Sequence, residues 1–292
     1  MFANGNLNPG LLPALLGIRP GVTAIIGSGG KTTLMEFLAD RLPGTVLLCT
    51  TTHIRRPSRF PTLLDPTEAE IREALETHRA VCAGQLAVRA AKSELQERET
   101  AARAGTQKTD SAKGPAGGTE AGKLAAPSLP FPVLASLADY VLAEADGARG
   151  LPLKAHAPWE PVIPENASRV VLVLGLDGIG RPIREVCHRP ERYAVLAGGR
   201  YAALAGGAAG MPYGTADTLS GAAAVSLDSP VTPETAARVI AAEGFGDIVF
   251  LNQAESETAA RHGVELADCL AEIRPVPVVR GSLRSGTFCR PR

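Results

Sequence analysis

The chain has 292 residues, with 30 basic and 30 acidic side chains and a formal net charge of zero. That length supports a large core, and the charge balance removes the electrostatic basis for binding nucleic acid or an anionic membrane. No apolar stretch approaches the ~18 residues of a membrane span. The first residues lack the basic start and cleavage pattern of a signal peptide, and five scattered cysteines without a Cys-x-x-Cys read as reduced thiols, so a cytoplasmic protein is expected.

A short apolar helix is expected over 11–16. Residues 22–26 form an apolar strand, followed at once by Gly27-Ser28-Gly29-Gly30-Lys31-Thr32-Thr33 and a helical pattern over 33–41. Strand, glycine turn, then lysine and hydroxyl at a helix start are the parts of a phosphate-binding loop, or Walker A motif. Glycines allow backbone N–H groups to approach phosphate, Lys31 reaches the outer phosphates, and Thr32 offers its hydroxyl to Mg2+. Gly27, Ser28, Gly29, Gly30, Lys31, Thr32 and Thr33 are therefore the expected nucleotide-binding residues. Ile25 stands where the common pattern has its first glycine. The loop is shorter than usual and closer to the G-T-x-G-K-T form of the Mur ligases.

A second buried strand over 45–50 ends in Thr50-Thr51-Thr52-His53. Carboxyl strand ends are where ligands bind in open α/β sheets. Thr51 is the candidate there for Mg2+, phosphate or a water, the alternative being that threonine simply forms strand; His53 is a weaker candidate for proton transfer. A helix over 66–77 and a strand over 79–83 follow. Residues 87–127 break the order: a charged stretch at 94–104 has helical character, and the rest is too poor in apolar residues to pack, so a flexible insertion is expected.

After a short helix over 132–138, the strand 140–144 runs into Glu144-Ala145-Asp146-Gly147. An acid at the tip of an apolar strand is the Walker B arrangement, and residues i and i+2 share a face, so at least one of Glu144 and Asp146 is the candidate Mg2+ ligand with Thr32, the alternative being that Asp146 only caps the loop from Gly147 to Gly150. The proline-rich loop beyond holds Lys154, His156 and the only tryptophan, Trp159, which either touches substrate or seals the core. An apolar strand over 169–174 comes next. In Cys187-His188-Arg189, neighbours in sequence rarely point at each other, so covalent Cys/His catalysis is not expected. Lys154, His156 and Arg189 are candidates for the substrate side, Lys154 or Arg189 neutralising charge on a transferred phosphoryl group.

Helices are expected over 190–196, 218–224 and 233–242. A strand over 248–251 ends in Asn252-Gln253-Ala254-Glu255. This is similar to the Asn-Lys-x-Asp base-reading motif of GTPases, with Gln253 for lysine and Glu255 for aspartate. Asn252 is a candidate to meet a base edge or to cap the next helix. Helical pieces over 257–263 and 266–272, a last strand over 275–279 and a fraying tail over 281–292 complete the chain. Alternating strands and helices predict an α/β protein, a three-layer P-loop NTPase-like domain with a mostly parallel sheet. The motifs run from Gly27 to Asn252, so one domain over 18–280 is expected, interrupted by the insertion.

These motifs together resemble the selenium-dependent hydroxylase accessory protein family, YqeC. The likeness rests on Ile26-Gly27-Ser28-Gly29-Gly30-Lys31-Thr32-Thr33, Thr50-Thr51-Thr52-His53-Ile54 and Ala138-Asp139-Tyr140-Val141-Leu142-Ala143-Glu144-Ala145-Asp146-Gly147-Ala148. It continues through Gly150-Leu151-Pro152-Leu153-Lys154, Glu160-Pro161-Val162-Ile163-Pro164, Gly175-Leu176-Asp177, His188-Arg189-Pro190-Glu191 and Leu251-Asn252-Gln253. It implies a P-loop nucleotide-binding protein associated with maturation of molybdenum hydroxylases and with a selenium or molybdenum cofactor. The expected ligands are ATP, with GTP as the alternative, and Mg2+; the expected partners are a molybdenum hydroxylase or its cofactor-maturation proteins. A slow NTPase is the first expectation; a kinase or Mur-like ligase activating a small substrate, or a binding protein without turnover, is the alternative. The family usually has a basic residue where His53 stands and aspartate where Glu255 stands.

Overall fold

The computed structural model describes residues 8–87, 123–199 and 225–289. The expected insertion core, its charged stretch at 94–104 and the helix over 218–224 lie outside these residues.

Runs such as Val-Leu-Leu-Cys-Thr and Tyr-Val-Leu-Ala-Glu are apolar on both faces, the pattern of strands buried on both sides of a parallel sheet. They form β1 (Gly21–Gly27), β2 (Val46–Thr50), β5 (Ala80–Leu86), β7 (Tyr140–Glu144), β9 (Ala167–Gly175), β11 (Ile248–Asn252) and β12 (Val278–Ser282). Shorter strands are β3 (His53–Arg55), β4 (Thr62–Leu64), β6 (Lys123–Ala125) and β13 (Thr287–Cys289), with β8 (Leu153–Lys154) and β10 (Cys187–His188) pairing separately. The main sheet runs β13-β12-β11-β9-β1-β7-β2-β5-β6-β3, with β4 beside β5. Its pairs are parallel except β12–β13, β3–β6 and β5–β6. The protein is thus an α/β fold with a mixed, mostly parallel sheet.

The helices are α1 (Leu12–Leu15), α2 (Lys31–Ala39), α3 (Glu68–Thr77), α4 (Phe131–Leu137), α5 (Ile183–Val186), α6 (Pro190–Ala197), α7 (Pro233–Glu243) and α8 (Glu257–Ile273). Side chains alternate across each strand. Ile25, Val171, Val173, Leu142 and Phe250 face one layer with α1 and α2. On the other face, Ala24, Ile26, Leu172 and Val249 meet α6, α7 and α8, while Val22, Leu47 and Val141 meet α3 and α4. No helix among the described residues is long and apolar enough to cross a membrane.

Local signals account for most boundaries. Thr67 and Glu70 close a capping box at the start of α3, and Thr232 and Thr235 do the same for α7. Three expectations need correction. The two helical pieces after 257 are one helix, because Gly263 is not a break: a side chain there would collide with Arg280 and Leu176, so glycine permits close packing. Lys123–Ala125, expected within the flexible insertion, is β6, held between β5 and β3. The chain past Gly281, expected to fray, makes the β12–β13 hairpin, because Phe288 is buried against Phe37 at 5.4 Å and Phe250 at 6.1 Å between ring centroids.

The carboxyl ends of five adjacent strands meet on one edge. Thr50 pairs with Glu144, Ile25 with Glu144, Gly27 with Val173, and Asn252 with Gly175. Since Phe288 anchors the last strand to α2, Phe288→Ala is expected to cost about 3–5 kcal/mol, seen as a lower urea midpoint at unchanged slope; a change below ~1 kcal/mol would show that the hairpin does not clamp the sheet.

Candidate functional site

The glycine loop leaves β1 at Gly27 and enters α2 at Lys31, with Gly30 as N-cap. Gly29 has φ +82°, and a side chain on it would strike the backbone of Gly175, so both conformation and space require glycine. Ser28 donates to the Pro152 carbonyl at 2.9 Å. Asn252 Nδ2 donates to the Gly29 carbonyl at 2.8 Å, and its Oδ1 accepts the Leu283 N–H at 3.1 Å. Asn252 thus pins the loop to the ends of β11 and β12. Thr33, on the first turn of α2, is exposed.

Lys31 is only 5% exposed. Its ammonium donates to the Gly27 carbonyl at 2.7 Å and pairs with Asp146 at 3.0 Å and Glu144 at 3.6 Å. Burial works against that charge, but Asp146 and Glu144 offset it and raise the lysine pKa. Thr32 donates to Glu144 Oε2 at 2.8 Å. Burial pushes the Glu144 carboxyl up, against the pull of Lys31 and Thr32.

Asp146 is fully buried. Its Oδ2 accepts the Gly27 N–H at 2.7 Å and meets Lys154 Nζ at 3.1 Å and His156 Nε2 at 2.6 Å, while Oδ1 faces Lys31. Burial alone would raise its pKa; Lys31, His156 and Lys154 reverse this and hold the carboxylate far below its usual range.

Two branches extend from Asp146. His156 Nδ1 meets Glu243 Oε2 at 2.7 Å, and its backbone N–H donates to Glu243 Oε1 at 2.5 Å, so the end of α7 is tied to the site. Burial disfavours the imidazolium, but the two carboxylates prevail and raise its pKa. Lys154 also donates to the Gly147 carbonyl at 2.7 Å and pairs with Glu160 at 3.0 Å. Arg189 grips Glu160 with two bonds of 2.7 and 3.0 Å. The short β8–β10 pairing brings these segments together, with His188 opposite Lys154.

The edge therefore gathers Lys31, Thr32, Glu144, Asp146, Lys154, His156 and Arg189 into one bonded network, with Arg189 at its rim and Asn252 holding the glycine loop beside it. Thr51 lies beside it: its backbone N–H donates to the Glu144 carbonyl at 3.0 Å. The Thr50 hydroxyl donates to the same carbonyl at 2.8 Å. The hydroxyl oxygens of Thr51 and Thr52 are buried and have no partner among the described residues. His53 is exposed on β3. Trp159 does not seal the core; it is 72% exposed in the loop after β8. Cys187 is buried, which pushes its thiol up to about 12 and leaves it un-ionised at neutral pH. Glu243 is a member that motif reading did not select, and Glu160, which lies within a motif, was given no role there. Glu243 is the last residue of α7, an unremarkable position in sequence; only the tertiary approach of α7 to residue 156 gives it a role.

In the donor set, a threonine hydroxyl and a glutamate carboxylate are hard oxygen ligands of the kind Mg2+ takes, with water and phosphate completing the shell. No group of three or more His, Cys, Asp or Glu side chains suited to a metal occurs among the described residues.

Burial and the neighbouring Arg189 and Lys154 lower the His188 pKa from 6.5 to about 4. A depressed folded-state value contributes stability above pH 6.5, lost as pH falls toward about 4. His188→Asn should therefore lose less stability than the parent between pH 7 and pH 4.5 in urea titrations; equal losses would show that His188 does not carry this dependence.

The family described as YqeC protein matches residues 23–191. The curated "Uncharacterized protein YqeC" of Escherichia coli (strain K12) is 30% identical over 186 residues, 62% of each chain. The chain thus matches less than two thirds of that relative's length. No solved structure matches.

Proposed function

Because this chain belongs to the YqeC family, we propose that it is a Mg2+-dependent nucleoside triphosphate-binding protein of the P-loop type that serves maturation of molybdenum or selenium-dependent hydroxylases, with slow hydrolysis as its activity. The observation that carries the reading is the meeting of Lys31 and Thr32 with Glu144 and Asp146, from segments more than a hundred residues apart, at the mouth of a glycine loop. The maturation role rests on the family resemblance alone.

Mg2+ would be held by Thr32 and Glu144 and would neutralise charge on the phosphates. Lys31 would exchange Asp146 for a phosphate oxygen. Asp146 stays compensated through that exchange by Lys154, His156 and the Gly27 N–H. We therefore assign Asp146 to positioning the loop and Lys31: its Oδ2 already has three partners, so Glu144 is the better metal ligand. The loop N–H groups at the start of α2 would complete the anion site.

A second reading, a kinase or ligase acting on a small substrate, is favoured by the unpartnered Thr51 and Thr52 hydroxyl oxygens beside Glu144. Product analysis separates the two: free phosphate alone supports hydrolysis, whereas a phosphorylated or ligated compound supports transfer.

Lys31→Ala should weaken Mg2+-nucleotide binding at least ~100-fold with the fold retained, and Glu144→Gln should lower turnover by about 100-fold or more. Calorimetry with and without Mg2+ and phosphate-release assays measure both. Unchanged binding in the first variant, or full Mg2+-dependent turnover in the second, overturns the assignment. Asp146→Asn should instead destabilise the fold by about 3–5 kcal/mol, because it strands buried cations; a neutral effect in urea melts would remove its positioning role.

A further inference from the structure

We infer that the nucleotide base is guanine, read by the Glu255 carboxylate just beyond the end of β11. The inference rests on the phosphate-site reading above and goes further by naming the base.

The sheet order sets the direction. β7, carrying Glu144, lies on one side of β1; β9 and then β11 lie on the other. A nucleotide with its outer phosphates at Lys31, Thr32 and Glu144 would meet Glu255 with its nucleoside lying away from β7, across the ends of β9 and β11. Asn252 fixes what it meets there, bonding the Gly29 carbonyl with one end of its amide and the Leu283 N–H with the other. Its own amide is thereby committed to the loop and is not free to read a base.

The residues after Asn252 keep their polar groups available. Gln253 sits in the left-handed region at φ +66°, and its buried Oε1 has no partner among the described residues. Glu255 is exposed, yet one carboxylate oxygen is held: the buried Ser282 hydroxyl donates to Oε1 at 2.6 Å. Ser282 adjoins Leu283, so the bonds of Asn252 and Glu255 lock the turn after β11 against the end of β12. Oε2 has no hydrogen-bond partner among the described residues.

An ionised carboxylate only accepts hydrogen bonds. Guanine presents two adjacent donors, N1–H and the 2-amino group, which a single carboxylate can take together. Adenine presents its 6-amino donor beside the N1 lone pair, so a carboxylate that bonds the amino group meets repulsion from N1. A site built around such donors rejects a ligand that lacks them far more strongly than shape alone would. The carboxylate therefore selects guanine, the alternative base, over the adenine of the first expectation.

The test is calorimetric titration of the full chain, in Mg2+, with GDP, IDP, ADP and XDP, for the parent and Glu255→Gln. GDP should bind at least ~100-fold tighter than ADP, with IDP, which lacks the 2-amino group, between them. Glu255→Gln should weaken GDP at least ~10-fold and strengthen XDP, whose 2-oxo group accepts from the new amide. The gain for XDP cannot come from misfolding, and the surface position of Glu255 keeps the variant foldable. ADP binding as tight as GDP, or GDP binding unchanged in the variant, overturns the guanine inference and leaves the phosphate site standing. Absence of binding by all four to natively folded protein overturns the phosphate site itself.

Discussion

The site depends on one buried carboxylate. Moving Asp146 from water into the protein costs several kcal/mol unless its charge is matched. It is matched by Lys31, Lys154 and His156, together with the Gly27 N–H. The partners come from two stretches: Gly27 ends β1 and Lys31 starts α2, while Lys154 ends β8 and His156 lies two residues beyond it. The carboxylate therefore solves a folding problem and an alignment problem together. It fixes the exit of β1, holds Lys31 at the loop, and organises the segment that follows Gly147.

From that centre, charge is balanced in alternation. Lys154 answers Asp146 and Glu160; Arg189 answers Glu160; His156 answers Asp146 and Glu243. Asp146 keeps Lys154 and His156 beside it independently of Lys31, whereas Lys31 is the one cationic partner of Glu144 among the described residues. The arrangement also couples the sheet edge to α7 through Glu243. Two hydrogen-bonded contacts, Asp146–His156 and His156–Glu243, separate the Asp146 carboxylate from that helix.

The sequence carried the parallel strands well, because both-face burial leaves unbroken apolar runs at β1, β2, β7, β9 and β11. It carried the glycine loop and the acidic strand end for the same reason: local backbone demands and i, i+2 spacing are written in neighbouring residues. It did not carry the short strands β3, β6, β8 and β10, which owe their existence to partners distant in sequence. Nor did it carry the C-terminal hairpin, whose stability comes from Phe288 reaching Phe37. Lys154, His156 and Arg189 were recognisable as polar residues near a ligand edge, but their bonding to Asp146 and Glu160 needed three dimensions. Of the two readings of Trp159, substrate contact or core seal, its exposure removes the second.

The bond from Asn252 to Gly29 has a bearing on how the molecule is made. A chain emerging from the ribosome completes its glycine loop early, with the acidic strand end far behind and residues 252 and 283 last of all. Domains assemble from the N-terminus as synthesis proceeds, yet here the loop lacks its pin until β11 and β12 are in place beside it. Until then the Gly29 carbonyl lacks the Asn252 amide that holds it in the folded protein. A nascent or truncated chain would thus hold the motif without the bond that pins the loop, which forms only as the final strands close the sheet.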